Sequence, residues 1–162
     1  MPSGRIFRFI AFNGGENGNK VYTEKEALQH WNLAPLATRR DVAMLSLVHR
    51  TVLGKGPKHF RRFFRRKGPN NAAGYWTRRA KRRHDRELEV PAHPQCPELL
   101  KRSALGLARV YNWLPAEVVN TECVKKFQGK LQDLVKSRAR EGLEDWAATL
   151  SPRLPWWNHP LR

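Results

Sequence analysis

The segment 38–53 constrains the fold more than any other stretch of the chain. Its apolar residues recur every three or four positions, which places them on one face of a helix. They are Val42, Leu45, Val48 and Val52, with Met44 and Leu47 beside them. Thr38 and Asp41 suit a capped first turn, and Gly54 suits the left-handed backbone that commonly ends a helix. A helix this apolar on one side, the central helix below, requires partners elsewhere in the chain.

Two helical halves are predicted around a basic stretch. Thr23 and Glu26 form a capping-box pattern at the start of a helix over residues 23–33, and Thr121 is placed to cap the last long helix. Because no convincing pair of strands occurs, we expect an all-α, small irregular domain of about five helices. The predicted order is a disordered N-terminal arm at 1–20, a helical half at 21–67, a basic and proline-rich, partly disordered linker at 68–97, a helical half at 98–150 and a disordered tail at 151–162.

The charge balance predicts a polyanionic partner. The 162 residues include 31 Lys and Arg against 14 Asp and Glu, a formal net charge of +17. Twelve of these cationic residues lie between positions 58 and 86 against one acid, Asp85, a density typical of phosphate binding. We expect RNA or DNA to bind at Arg61, Arg62, Arg65, Arg66, Lys67, Arg78, Arg79, Lys81, Arg82 and Arg83. A nuclear-import signal or a solubilising patch would account for the same composition.

Three phenylalanines interleave with the first of these arginines. Phe60, Phe63 and Phe64 stand at positions i, i+3 and i+4, so on a helix they share one face and the arginines take the other. Such a face fills a core more often than it stacks on nucleic-acid bases. We therefore expect all three rings to pack on the central helix.

The sequence offers neither a catalytic centre nor a cofactor site. His84, His93 and Cys96 supply three possible zinc ligands without a fourth. Glu144-Asp145 is the only adjacent acidic pair in the sequence, too few carboxylates for two-metal phosphoryl chemistry. The two cysteines are far apart, and no run of 18 apolar residues occurs. We predict no enzyme activity, no cofactor, no metal, no small-molecule substrate and no membrane association.

Three further segments follow one another in a characteristic order and spacing. They are Arg39-Arg40-Asp41-Val42-Ala43-Met44-Leu45-x-Leu47-x-His49-x-x-x-Leu53-Gly54, then Tyr111-Asn112-Trp113-Leu114-Pro115, then a helix with Phe127, Leu131 and Leu134. Together they cover roughly residues 27 to 150 and resemble the tail that follows the polymerase domain in reverse transcriptases of non-LTR retrotransposons. The resemblance implies a fragment of a mobile-element protein whose tail would help to hold template RNA or target DNA.

The same comparison sets limits on activity. The chain contains no Tyr-x-Asp-Asp motif, no endonuclease residues and no Cys-His knuckle, so the resemblance implies that it neither polymerises nor cuts. We predict a non-catalytic protein that binds RNA or DNA phosphates without sequence specificity, in the nucleus or cytoplasm rather than in mitochondria. The alternative is a small basic structural protein of a ribonucleoprotein, such as an organellar ribosome. The oligomeric state is not predicted.

Overall fold

The computed structural model describes residues 23–68, 83–90 and 103–162. The α-helices of these ranges are α1 (Glu24–Trp31), α2 (Leu36–Val52), α3 (Leu107–Trp113), α4 (Ala116–Val119) and α5 (Val124–Arg140). Short 3₁₀ helices cover Lys58–Arg62, Trp146–Ala148 and Trp156–Asn158. The described ranges contain no strand, and their single β-bridge joins Arg66 to Leu88. The predicted all-α class is confirmed.

Helix α2 lies at the centre of the core, as its apolar stripe predicts. Its buried stripe consists of Val42, Leu45, Val48 and Val52. The same core contains Leu107 and Tyr111 from α3 and Phe127, Leu131 and Val135 from α5. Truncating one such buried side chain to alanine typically costs about 2–5 kcal/mol, because the lost burial adds to the cavity left behind. The two helical halves of the sequence prediction therefore share one core.

Residues 83–90, predicted as part of the linker, are packed into this core. The Leu88 side chain is fully buried. Its backbone N–H donates to Asn112 Oδ1 (2.7 Å), and Asn112 Nδ2 donates to the Leu88 carbonyl (2.8 Å), so one side-chain amide satisfies both main-chain groups. The rest of the predicted linker, the N-terminal arm and the first residues of the predicted helical half at 98–150 lie outside the described residues.

The predicted capping box of α1 and the predicted glycine end of α2 are confirmed, whereas the predicted cap of α2 by Asp41 is wrong. At α1, Glu26 N–H donates to Thr23 Oγ1 (3.3 Å) and Thr23 N–H donates to Glu26 Oε2 (2.8 Å), which is a complete capping box. Gly54 follows α2 with a φ of +76°, the left-handed conformation expected there. Asp41 caps nothing: it is buried, 3.4 Å from the Arg40 guanidinium, and burial raises its pKa.

Two threonines predicted to cap helices do not cap them. Thr38 lies inside α2, which begins at Leu36, and its hydroxyl donates to the Ala147 carbonyl (2.8 Å). Helix α5 begins after Cys123 with no side-chain cap, and the Thr121 hydroxyl is buried without a partner among the described residues. Both corrections have the same cause, since the surroundings of each threonine are set by tertiary packing.

The C-terminal segment 151–162 differs from the predicted disordered tail. His159 and Leu161 are buried, with Leu161 in the main core. Arg138 from α5 donates to the Pro160 carbonyl at 2.5 Å. The ring of Trp113 lies 4.6 Å from that of His159. Apolar burial and charged donors to main-chain carbonyls together hold this segment in place.

Candidate nucleic-acid interface

The chain leaves α2 through a cationic segment, residues 50–67, which we call the basic turn. It contains no acidic residue. Its cationic residues, all solvent-exposed, are Arg50, Lys55, Lys58, Arg61, Arg62, Arg65, Arg66 and Lys67. Among the described residues, Lys67 is the one member of this set that forms an ion pair. The turn is therefore a surface of largely unneutralised positive charge.

The backbone of the basic turn is fixed against the core. The left-handed φ of Gly54 reverses the chain, and a side chain at Gly56 would collide with the backbone of Thr51, with Cβ only 2.7 Å from the Thr51 Cα. The ring of Phe64 is buried and lies parallel to that of Phe60, with the two centroids 6.3 Å apart. Both rings pack on the main core, so the cations between them stand on a supported surface.

Three arginines of the basic turn donate to carbonyls near the end of α2. The bonds run from Arg50 Nε to the Lys55 carbonyl (3.0 Å), from Arg61 Nη2 to the Gly54 carbonyl (2.5 Å) and from Arg66 Nη2 to the Val52 carbonyl (2.9 Å). Positive charge is favourable there because the carbonyl end of a helix is negative. A guanidinium has five N–H donors, so each arginine retains donors for a ligand while one bond holds it in position.

Lys67 and Arg83, both predicted to bind nucleic acid, are engaged within the protein. Lys67 Nζ lies 2.7 Å from Glu87 Oε2. Burial alone would raise the pKa of Glu87, but hydrogen bonds from Lys67 and from the Arg83 N–H outweigh it and hold that pKa below its usual range. The Arg83 guanidinium donates to the carbonyls of Trp113 (2.8 Å) and Leu161 (2.5 Å) and to that of Arg162. The other predicted cations, Arg78, Arg79, Lys81 and Arg82, lie outside the described residues.

The predicted phenylalanine face is wrong for one of its three rings. Phe64 is buried and Phe60 is half-buried, but Phe63 is 44% exposed. The guanidinium carbon of Arg62 lies 4.7 Å from the Phe63 ring centroid. The segment forms a short 3₁₀ helix that ends at Arg62, so Phe63 falls outside it and the α-helical spacing argument no longer applies.

A buried histidine joins α2, α3 and α5. His49 from α2 is fully buried, and its ring stacks on that of Phe127 with centroids 4.0 Å apart and planes inclined by 7°. Its Nε2 lies 2.7 Å from the Thr121 carbonyl and its Nδ1 lies 2.9 Å from the Tyr111 hydroxyl. Because a carbonyl only accepts, Nε2 carries the proton, and in the neutral ring Nδ1 accepts from the tyrosine.

Burial favours the neutral forms of the side chains in this cluster. Burial lowers the pKa of His49, which keeps the ring neutral, and burial raises the pKa of Tyr111. His84 donates from Nε2 to the Tyr111 carbonyl (3.1 Å), and burial lowers its pKa as well. The sequence signal for His49 was its position four residues after Leu45, on the buried face of α2.

One further feature of the described surface is a groove beside α2. A groove of about 230 Å³ lies between α1, α2 and α5, and its lining mixes apolar side chains such as Leu28 and Val42 with polar ones such as Gln132. The described ranges contain no group of three or more His, Cys, Asp or Glu residues that could hold a metal ion. None of their helices has the length and apolarity needed to cross a membrane.

Comparisons with known proteins add no relative. No protein-family model, no curated protein and no solved structure matches the chain.

Proposed function

We propose that this protein binds RNA or DNA through its phosphates at the basic turn, without reading sequence and without catalysis. The observation that carries the proposal is the exposed cationic set of residues 50–67, of which only Lys67 has a carboxylate partner among the described residues. Like charges held close together repel, so such a surface is best accounted for by an anionic ligand that neutralises it. The nucleus and the cytoplasm both provide that ligand.

The cationic residues differ in how far their side chains are already bonded to other groups of the protein. Lys67 and Arg83 serve the fold, so the proposal leaves them out. Arg61 and Arg66 are oriented by one backbone bond each and keep further donors for phosphate oxygens. Lys58, Arg62 and Arg65 make no hydrogen bond or ion pair through their side chains to a described residue, and these three are the ones to test. The run Arg78 to Arg82 extends the proposal by its sequence alone.

A kinship with retroelement reverse-transcriptase tails stays a prediction. What supports it is that the three resembling segments meet in one place, where His49 bonds to Tyr111 and stacks on Phe127. Segments that contact one another form one structural unit, which is what a tail retained without its polymerase would need to be. The proposed binding activity does not depend on this origin.

The test is a salt series. Binding of the purified protein to an unstructured 30-mer RNA and to the matching DNA is measured between 50 and 200 mM salt, a range over which about six to ten phosphate contacts lose about 10³–10⁵ in affinity. The variant is Lys58→Ser/Arg62→Ser/Arg65→Ser. The matched control, Lys25→Ser/Lys125→Ser/Lys126→Ser, removes the same charge from exposed positions outside the basic turn.

The two variants separate a site from overall charge. Loss of three phosphate contacts should flatten the slope of log K against log salt by about 2 for a single strand, at about 0.7 per contact. The control should keep a slope close to that of the wild type. Equal slopes in both variants would assign binding to net charge alone, and weak wild-type binding at 50 mM salt would refute the proposed function.

A further inference from the structure

Phe63 is an exposed aromatic ring in the middle of the basic turn. It is 44% exposed, whereas its neighbours Phe60 and Phe64 are half-buried and buried. Burying a phenylalanine side chain stabilises a fold, so leaving this one partly in water gives up some of that stabilisation. Single exposed apolar residues are common, and Phe63 becomes informative only through its surroundings.

The first feature of these surroundings is a backbone held by hydrogen bonds. Phe63 N–H donates to the Phe60 carbonyl at 3.0 Å, and Phe64 N–H donates to the same carbonyl at 3.3 Å. Phe64 belongs to the core and Phe60 packs against it, so the turn that carries the Phe63 ring is anchored on both sides. A ring already held in place loses less conformational entropy when a ligand packs on it.

The second feature of the surroundings of Phe63 is positive charge. The Arg62 guanidinium lies over the Phe63 ring at 4.7 Å, yet the ring keeps its 44% exposure with that arginine present. Arg61, Arg65 and Arg66 flank the ring in the sequence and are all exposed. An aromatic face among cations that bind phosphates is the combination by which proteins hold single strands, with bases on the rings and the backbone on the cations.

We propose that Phe63 stacks on an unpaired base, so that the basic turn selects single-stranded over duplex RNA or DNA; this inference rests on the proposed function. Inside a duplex both faces of each base are covered by its neighbours, so away from the two ends a ring on an exposed turn meets only edges and backbone. In a single strand the base faces are open. Stacking is tolerant of sequence because every base has such a face, which agrees with binding that reads no sequence.

The experiment compares three ligands with equal numbers of phosphates per strand. They are a 12-mer of thymidine, its abasic counterpart with the same backbone, and a mixed-sequence 12-base-pair duplex. The variants are Phe63→Ala, Phe63→Tyr, which keeps a ring, and Trp31→Ala, which removes an aromatic side chain of equal exposure from α1. Circular dichroism confirms that each variant is folded, and affinity is measured for each at several salt concentrations.

Phe63→Ala should weaken binding of the thymidine 12-mer about 5- to 150-fold, the equivalent of about 1–3 kcal/mol for one stacked base. Its affinity for the abasic 12-mer and for the duplex should change less than about twofold, since the abasic strand has no bases and the duplex opens base faces only at its two ends. The salt slope should stay unchanged because no phosphate contact is lost. Phe63→Tyr and Trp31→Ala should bind like the wild type.

Each failure is distinguishable. If the wild type binds all three ligands with a steep salt slope and Phe63→Ala changes none of them, the stacking inference is wrong and the proposed function stands. An equal loss on the thymidine and abasic 12-mers would also overturn stacking, because the ring would then act through the backbone. If the wild type binds none of the ligands at 50 mM salt, the proposed function fails and the inference fails with it.

Discussion

Replacing Tyr111 by phenylalanine isolates the buried hydrogen bond that joins α2 to α3. The substitution removes one hydroxyl and keeps the ring, which is fully buried and packed near His49 and Phe127. The lost group is the donor to His49 Nδ1 at 2.9 Å. His49 cannot use the other tautomer instead, because Nε2 must keep its proton to donate to the Thr121 carbonyl at 2.7 Å.

The expected cost follows from what is left behind. Nδ1 becomes a buried acceptor without a donor, and leaving such a group unsatisfied costs about 1–3 kcal/mol of the free energy of unfolding. Removing both partners is different, since apolar groups of similar shape can replace a hydrogen-bonded pair almost without loss. His49→Phe alone leaves the Tyr111 hydroxyl without a hydrogen-bond partner. The Thr121 carbonyl, which also loses its bond to His49, still accepts from Arg86 Nη1 at 3.4 Å.

The assay is a double-mutant cycle by urea unfolding at pH 7.5. The wild type, Tyr111→Phe, His49→Phe and the double variant are followed by circular dichroism, with the m-value checked for constancy. The double variant should be more stable than the sum of the two single losses predicts, by about 0.5–3 kcal/mol. Strict additivity, or a loss below about 0.5 kcal/mol for Tyr111→Phe, would refute the stabilising hydrogen bond between Tyr111 and His49.

Three further expectations concern stability and reactivity. Burial lowers the pKa values of His49, His84 and His159, so below pH 6.5 the unfolded chain takes up protons that the folded chain does not; the free energy of unfolding, measured with urea, should fall between pH 7 and pH 5, by at most about 1.4 kcal/mol per pH unit for each histidine. Gly129 lies inside α5, and a methyl group added there would meet no atom within 4 Å, so Gly129→Ala should stabilise the protein by about 0.5–1 kcal/mol in the same assay. The backbone N–H groups of Lys126 and Lys125 in the first turn of α5 favour a thiolate at the exposed Cys123 and so lower its pKa; in a Cys96→Ser background iodoacetamide should therefore alkylate it faster at pH 7 than it alkylates a cysteine in an unstructured peptide.

The parts of the fold that the sequence predicted are those decided within a few residues. The capping box of Thr23 and Glu26 spans three positions, and the Gly54 turn depends on its own backbone. The apolar stripe of α2 is likewise a property of local spacing. Each of these features could be predicted because its determinants are adjacent in the sequence.

The parts that could not be predicted depend on partners far along the chain. Thr38 has the residue type of a cap, but its partner is the carbonyl of Ala147, 109 positions away. Arg83 is one more cation in a basic run of the sequence, and only the folded chain brings it to the carbonyl of Leu161. Composition predicts that a basic surface exists, whereas tertiary packing decides which of its cationic side chains are bonded within the protein and which remain open to a ligand.

The continuity of the basic turn with α2 links ligand binding to folding. The turn is held by Phe64 in the main core, so its spacing of charges exists only in the folded chain. The unfolded chain keeps the same net charge of +17 and also attracts polyanions. By mass action, a ligand stabilises the folded state only to the extent that it prefers that state; the gain approaches about 2.7 kcal/mol at a hundredfold excess over Kd when the unfolded chain does not bind. The rise in melting temperature on adding an oligonucleotide therefore measures how much the fixed spacing of these charges adds to binding, beyond the contribution of net charge alone.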